Sequence, residues 1–168
     1  MAVTLFSFVE MYAKGLTTLQ HILDKGRAHA AATGIDEREM LEWRLVEDMF
    51  PLWRQAQIVA VFGSRWPSRS AGLPEVDEPS GEMSFDQLFA LIAKSRAALA
   101  DLTPAQFEGK GSEPFTMDLG VMKPNMPIEQ WVTGFATTNF YFHLSIAYAI
   151  LRQRGVPLGK PDLFAGGL

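Results

Sequence analysis

The amino-acid sequence predicts an all-α protein, a four-helix bundle. Most of the chain divides into long segments whose apolar residues recur every three or four positions, the spacing of one helix face. Helix start and stop signals separate those segments. The 168 residues, of which 48% are hydrophobic and 20% charged, are enough for one well-packed domain spanning residues 1–168.

The first two predicted helices form an antiparallel pair. Residues 4–33 carry a single apolar stripe, and Gly34 suits the left-handed position that ends a helix. Asp36 then serves as the cap of a second helix, with Glu39 at the third position of a capping box. Because the connecting turn is so short, the two helices are expected to run antiparallel.

The second helix is expected to contain a kink. In this prediction it runs from Asp36 to Phe62, and Pro51 falls in its interior, where proline removes a backbone hydrogen bond. Asp48 lies beside the apolar stripe, next to the expected kink. The polar, Pro- and Gly-rich segment 63–83 is long enough to return along the bundle, so the third helix can run parallel to the second.

The third helix and a small hairpin follow. Ser84 opens the helix with Gln87 as its capping-box partner, and the helix is expected to end near Asp101. Thr103 starts a single further turn. The alternating pattern around residues 118–120 indicates a small β-hairpin before the last helix.

Composition narrows the classes of function. The net charge of −4 argues against a nucleic-acid partner, which would require clustered Lys and Arg. A small basic-aromatic group, Arg65, Trp66 and Arg69, is interpreted as part of a solvated loop with one anchoring Trp. The absence of cysteine excludes disulfides, thiolate catalysis, iron–sulfur clusters and cysteine zinc sites, and it suits a cytoplasmic protein.

The final helix, residues 128–154, carries no formal charge between Gln130 and Leu151. Polar side chains interrupt this stretch at Thr133, Thr137, Thr138, Asn139, His143 and Ser145. Such residues are costly in hydrocarbon, so a buried bundle helix is expected rather than a membrane span. Its apolar stripe comprises Ile128, Trp131, Phe135, Phe142, Ile146 and Ala149. Gly155 ends the helix, and the apolar tail is expected to pack on the bundle or on a second subunit.

One candidate site emerges from these segments. The sequence has no Gly-rich phosphate loop, H-E-x-x-H, G-x-S-x-G or EF-hand pattern. His143 lies in the buried helix, and a buried imidazole needs hydrogen-bond partners. Asn139, one turn earlier, and Asp48 on the second helix are the expected suppliers. These three residues could form a structural polar network, a small-ligand pocket, or a metal site with one nitrogen and two oxygen ligands.

Three stretches of the chain resemble a known family. They are NFYFHLSIAYAILRQRGVPLGK in the last helix, LVEDMFPLWRQ in the second and LQHILDKGRAHAAATGID around the first turn. Together they resemble an uncharacterised domain-of-unknown-function family related to the DinB/YfiT-like superfamily. The resemblance implies a four-helix bundle with up-down-down-up connections. It also implies a relationship to metalloenzymes, some of them thiol-dependent transferases, that hold metal with one histidine from helix two and an H-x-x-x-H pair from helix four.

The residues that correspond to those three histidines match only in part. His143 can be one of the helix-four pair, but its partner would be Asn139 or Ala147, and the helix-two position has Asp48 or a neighbour. Zn and Ni favour nitrogen ligands, so the loss of two imidazoles weakens metal affinity sharply. We therefore expect a non-catalytic or small-ligand-binding bundle with a degenerate metal pocket and no cofactor.

Two alternatives stay open at the level of sequence. The first is a metal-dependent hydrolase or transferase in which Asp48, Asn139 and His143 hold a divalent ion such as Zn or Ni and activate a water. The second is a homodimeric interaction protein that pairs through its apolar tail and an exposed helix face.

Overall fold

Four long helices pack into a bundle in the computed structural model, which describes residues 3–167. In chain order the α-helices of this region, long and short together, are α1 (Leu5–Thr33), α2 (Glu37–Leu41), α3 (Leu52–Ser70), α4 (Phe85–Ala100), α5 (Ile128–Gln130) and α6 (Thr137–Gln153). Short 3₁₀ turns occupy Pro104–Phe107 and Lys160–Phe164. The bundle consists of α1, α3, α4 and α6, and the predicted all-α fold is confirmed.

Close contacts at glycines reveal the directions of three helices. A Cβ atom on Gly15 would overlap the ring of Phe140, and one on Gly26 would lie 3.0 Å from Leu151. Early α1 thus meets early α6 and late α1 meets late α6, so these helices are parallel neighbours. A Cβ on Gly63, late in α3, would lie 3.0 Å from the same Phe140 ring, so α3 runs the opposite way.

The direction of α4 follows from an ion pair at its first turn. Arg27, near the end of α1, donates to Asp86 at a distance of 2.8 Å. Since α3 also begins at that end of α1, α3 and α4 run parallel and residues 71–84 form the crossover between them. Ser64 and Ser95, both buried, share a hydrogen bond of 3.2 Å between the two helices. The up-down-down-up connection is confirmed.

The second predicted helix is in fact two helices separated by a loop at residues 42–51, so the expectation of one kinked helix is wrong. Pro51 is extended (φ −68°, ψ 167°) and immediately precedes α3, since proline is tolerated at a helix start and not in its interior. The indole of Trp53 donates to the Glu42 carboxylate at 2.8 Å. This hydrogen bond joins the first turn of α3 to the start of the loop.

The third helix of the chain continues past Gly63 to Ser70, eight residues further than Phe62. The interpretation of Trp66 as part of a solvated loop is wrong, because its side chain is 0% exposed and stacks on Trp131 with ring centroids 5.8 Å apart. Gly63 does not stop the helix. Its missing side chain leaves the space that Phe140 fills.

The predicted hairpin and the final helix follow the crossover and α4. Strands β1 (Pro114–Thr116) and β2 (Asn125–Pro127) pair antiparallel, and this confirms the hairpin. The final helix contains a π-helical stretch, Trp131–Ala136, between α5 and α6. Phe142 does not belong to the buried stripe, since it is 51% exposed. No helix in the described part of the chain has the length and apolar character needed to cross a membrane.

The C-terminal tail folds back onto α1. Asp162 lies 2.6 Å from the imidazole of His21 and 3.0 Å from the ammonium group of Lys25. A Cβ atom on Gly166 would overlap the carbonyl oxygen of Lys14, so the tail touches the backbone of α1. The sequence predicts that the tail packs on the bundle or on a second subunit, and in the structure it packs on the bundle. Pairing of the tail with a second subunit stays a prediction.

Candidate functional site

The predicted site centres on His143 in α6, which faces the first turn of α3. Its Nδ1 lies 2.7 Å from Oε1 of Gln55, a side chain that is 1% exposed. The amide nitrogen of Gln55 donates to the carbonyl oxygen of Phe50 at 3.0 Å. Because this bond orients the amide, Oε1 is the acceptor and the His143 ring carries its proton on Nδ1.

His143 is neutral at pH 7. Burial, with the Arg54 guanidinium nearby, lowers the pKa of His143 from 6.5 to about 4. With the proton on Nδ1, the Nε2 atom keeps a lone pair, and nothing within residues 3–167 donates a hydrogen bond to it. The ring therefore offers one unused acceptor, the atom through which imidazoles also bind metals.

The guanidinium of Arg54 is held in place beside this imidazole. It donates to Glu78 at 2.8 Å and also to Gln57. It also lies over the ring of Phe50, with 5.7 Å between the guanidinium carbon and the ring centroid. These contacts keep a positive charge close to His143, which opposes protonation of the ring.

Asn139 and Asp48 contribute differently from the sequence-based expectation. Asn139 lies one turn before His143 and donates from its amide nitrogen to the Phe135 carbonyl at 2.7 Å. Asp48 is exposed in the loop at residues 42–51. The expectation that Asp48 meets His143 is wrong, because the loop replaces the helix that would have carried it there and Gln55 takes the place opposite the ring. A ligand-binding or metal-binding role for these residues stays a prediction.

The donor set around His143 does not fit Zn or Ni. One imidazole nitrogen is present, and the neighbouring oxygens belong to the neutral amides of Gln55 and Asn139. Both metals favour further imidazole, thiolate or carboxylate ligands. Within residues 3–167 no three His, Cys, Asp or Glu side chains cluster closely enough to hold an ion.

Two cavities of ≈350 Å³ each lie elsewhere in the bundle. The first lies among the starts of α2, α3 and α4 and has Trp53 in its wall. The second lies between α1, α6 and the tail, beside Tyr141 and Phe164. Neither is lined by Asp48, Asn139 or His143, so the His143–Gln55 pair is separate from both.

Comparison with known proteins places this arrangement in a family. A family described as a domain of unknown function, DUF1993, matches residues 6–164. The chain belongs to the DUF1993 family. None of the curated proteins matches it.

The fold of this DUF1993 chain is similar to that of a DinB family member protein from Shewanella denitrificans, known from its crystal structure. The TM-score is 0.85 at 29% sequence identity, and the match covers 95% of this chain and 90% of the other. The predicted relationship to the DinB-like superfamily is confirmed.

Sequence reasoning about the DUF1993 site missed Gln55. A signal for it was present, because Leu52, Gln55, Ala56 and Val59 follow the i, i+3, i+4, i+7 spacing of one helix face. A single amide among apolar residues on that face indicates a buried polar group that needs a partner. The predicted site contained the nearby carboxylate of Asp48 and not this uncharged amide.

Proposed function

We propose that this DUF1993 chain is a non-catalytic, small-ligand-binding helical bundle in which the His143–Gln55 pair takes the place of a metal centre. The observation that carries the proposal is the 2.7 Å contact between His143 Nδ1 and Gln55 Oε1. The Phe50 carbonyl holds the amide in the orientation that makes it an acceptor. The pair therefore presents a fixed, neutral imidazole whose Nε2 receives no hydrogen bond from residues 3–167.

The chemistry of this pair suits binding better than catalysis. A general base works best with a pKa near the operating pH, and the pKa of His143 is about 4. Gln55 carries no charge, so it cannot stabilise the imidazolium that proton abstraction would form, as a carboxylate does in a catalytic triad. An imidazole in this environment accepts a hydrogen bond without taking the proton.

The ligand class follows from the aromatic residues that adjoin the pair. Phe50 and Phe142 are 52% and 51% exposed, and each neighbours one member of the pair. Exposed aromatic rings beside a single acceptor favour a small molecule that has an apolar body and one hydrogen-bond donor, such as a hydroxyl or an amide N–H.

Elemental analysis separates this proposal from the metal-dependent alternative. Protein purified without a His-tag would be loaded with Zn or Ni, desalted and compared with His143→Ala. We expect no stoichiometric metal in either protein, since one imidazole holds such ions poorly. Stoichiometric metal in the wild-type chain that is lost in His143→Ala would overturn the proposal and favour Asp48, Asn139 and His143 as ligands.

Nuclear magnetic resonance tests the hydrogen bond directly. Long-range ¹H–¹⁵N spectra distinguish the two imidazole tautomers, and we expect His143 to carry its proton on Nδ1 throughout the neutral pH range. The variant Gln55→Leu removes the acceptor and should abolish this preference. A ring protonated on Nε2 in the wild-type chain would contradict the proposal.

A further inference from the structure

A cavity of ≈350 Å³ lies where α2, α3 and α4 begin, away from the His143–Gln55 pair. Its apolar lining consists of Leu41, Met83 and Phe85, which are 4%, 7% and 0% exposed, together with the half-buried Trp53. Binding sites for small molecules have volumes from about 300 Å³ upward. The cavity is thus large enough for a compact organic ligand.

The indole of Trp53 has a fixed orientation in the wall of this cavity. Its Nε1 donates to the Glu42 carboxylate at 2.8 Å, and Glu42 also pairs with Arg44 at 3.4 Å. A held indole is an effective surface for a cation, because the face of the ring carries the negative part of its quadrupole. The bonded carboxylate adds a full negative charge at the edge of the ring.

The charged groups that line the cavity are predominantly acidic. Four carboxylates, from Asp36, Glu37, Glu42 and Glu82, face a single guanidinium, from Arg38. Glu37 is further paired with Arg27, whereas Glu82 is exposed and forms no ion pair within residues 3–167. This excess of negative charge favours a cationic ligand. Glu42 and Glu82 are the carboxylates that we expect to act as its counter-ions.

Two helix starts at the cavity would by themselves attract anions, but side chains already occupy them. Asp36 accepts from the backbone of Arg38 at 2.9 Å, and Ser84 accepts from the backbone of Gln87 at 3.3 Å. These caps satisfy the first-turn donors nearest the cavity. The carboxylates therefore determine the sign of the charge that the cavity accepts.

We propose that this cavity binds a small organic cation, an ammonium or guanidinium group attached to an apolar body. The apolar part lies on Trp53 and on the accessible edges of Leu41 and Met83, and the cationic group lies between the Trp53 ring and the carboxylates of Glu42 and Glu82. This site goes beyond the proposed function, since it shares no residue with the His143–Gln55 pair.

Three probes of nearly equal shape test the charge requirement. Phenethylammonium, phenethyl alcohol and phenylacetate share one aromatic body and differ in the charge of a short tail. Calorimetry and tryptophan fluorescence should detect the cation, with the alcohol bound about tenfold or more weakly and the anion not detectably bound. Failure of the cation to bind, or equal binding of the cation and the alcohol, would overturn the proposal.

Matched variants locate the site. Glu42→Gln keeps an acceptor for the Trp53 indole, and both Glu42→Gln and Glu82→Gln should weaken binding of the cation about three- to tenfold. Asp101→Asn, just after the far end of α4, removes one negative charge and should leave the affinity unchanged. Wild-type affinity in both glutamine variants would contradict the proposal.

Discussion

His143 and Gln55 form a contact between two uncharged groups in a half-buried position. Protonation of the ring would leave Nδ1 bonded as before, but it would place a second charge beside Arg54 with little water to stabilise it. The fold therefore favours the neutral ring. This preference links the stability of the protein to pH.

The first prediction concerns that link. The pKa of His143 is about 4 in the folded chain and near 6.5 when unfolded, so the unfolded state binds more protons between these values. The stabilising effect of the neutral ring is complete above pH 6.5 and is lost as the pH falls toward 4. Urea denaturation gives the free energy of unfolding at pH 7.5 and at pH 4.5. The difference between these two free energies should be about 1–2 kcal/mol smaller in His143→Gln than in the wild-type chain. An unchanged difference would contradict the prediction.

The second prediction concerns Gly15, where α1 meets α6. A Cβ atom there would overlap the fully buried ring of Phe140, so Gly15→Ala must displace that ring. We expect a loss of about 1–3 kcal/mol in the free energy of unfolding. Gly134→Ala is the matched control, since nothing lies within 4 Å of its added Cβ, and it should be neutral or stabilising. Equal losses in both variants would exclude the steric explanation.

Sequence reasoning at this scale identified His143 correctly as a residue in a packed helix but assigned it the wrong partner. Helical spacing places Asn139 and His143 one turn apart with no reference to the rest of the fold. The group opposite them depends on the position and rotation of a second helix. Residues 42–51 form a loop, so Asp48 lies outside α3, and Gln55 in the first turn of α3 contacts the ring.

At the scale of elements, arginines of α3 hold the crossover, residues 71–84. Arg65 and Arg69 both pair with Glu75, at 3.2 and 2.7 Å, and Arg65 also pairs with Glu78 at 3.1 Å. A guanidinium of this group, that of Arg69, also lies 4.8 Å from the centroid of the Trp66 ring. The crossover is therefore attached to the helix by shared carboxylates as well as by apolar contacts.

The third prediction tests this attachment. Glu75→Gln removes the charge that two guanidinium groups share, so the amides of the crossover should exchange faster with deuterium. We expect roughly a three- to tenfold increase, because networked pairs contribute more than isolated surface pairs. Asp77→Asn changes an exposed carboxylate in the same segment and serves as the control. Equal exchange in wild type and Glu75→Gln would show that apolar contacts alone hold the segment.

The sequence predicts the ends of helices well where local capping and stop residues set them. It predicts them poorly where contacts with distant parts of the chain set them. The capping box at Ser84 and the stop at Gly34 are local, and both stand in the structure. Pro51 was ambiguous, because an apolar stripe continued on both sides of it. Gly63 has the residue type of a helix stop, but the space that it opens for Phe140 depends on a helix far along the chain.

At the scale of the whole molecule, the tail and α1 are held together near one carboxylate. His21, the backbone of Gly159 and Lys25 all donate to Asp162, and these bonds keep the pKa of Asp162 below its ordinary value of 3.8. The folded state therefore gains stability from the charged carboxylate above that value. The gain is lost as the pH falls below 3.8.

The fourth prediction concerns the release of the tail. Asp162→Asn should increase deuterium exchange and proteolysis within residues 156–167 at neutral pH, because Lys25 loses its counter-charge and His21 loses a charged hydrogen-bond acceptor. Asp24→Asn, an exposed carboxylate elsewhere on α1, is the control. Acidification of the wild-type chain should act on the tail in the same direction as the variant, with an effect that begins below pH 3.8 and grows as the pH falls further. A tail that stays protected in Asp162→Asn would contradict the prediction.

The overall architecture was predictable because its determinants are spread over many residues. Helical periodicity recurs through most of the chain, so the misreading of one helix did not change the number of bundle helices. The length of the crossover indicated that two consecutive helices run parallel. The buried aromatic stack of Trp66 and Trp131 could not be foreseen, since it joins residues from α3 and the last helical segment.

The parallel pairing of α1 with α6 also affects how the chain can fold during synthesis. Tyr12 and Thr137, which share a hydrogen bond of 3.0 Å, are 125 positions apart. During synthesis α3 and α4 emerge before α6 and also pack on α1, so until α6 emerges the first helix lacks only the part of its apolar cover that α6 supplies. Chains interrupted late in synthesis would therefore expose this surface, and they should be the forms that chaperones and proteases meet first.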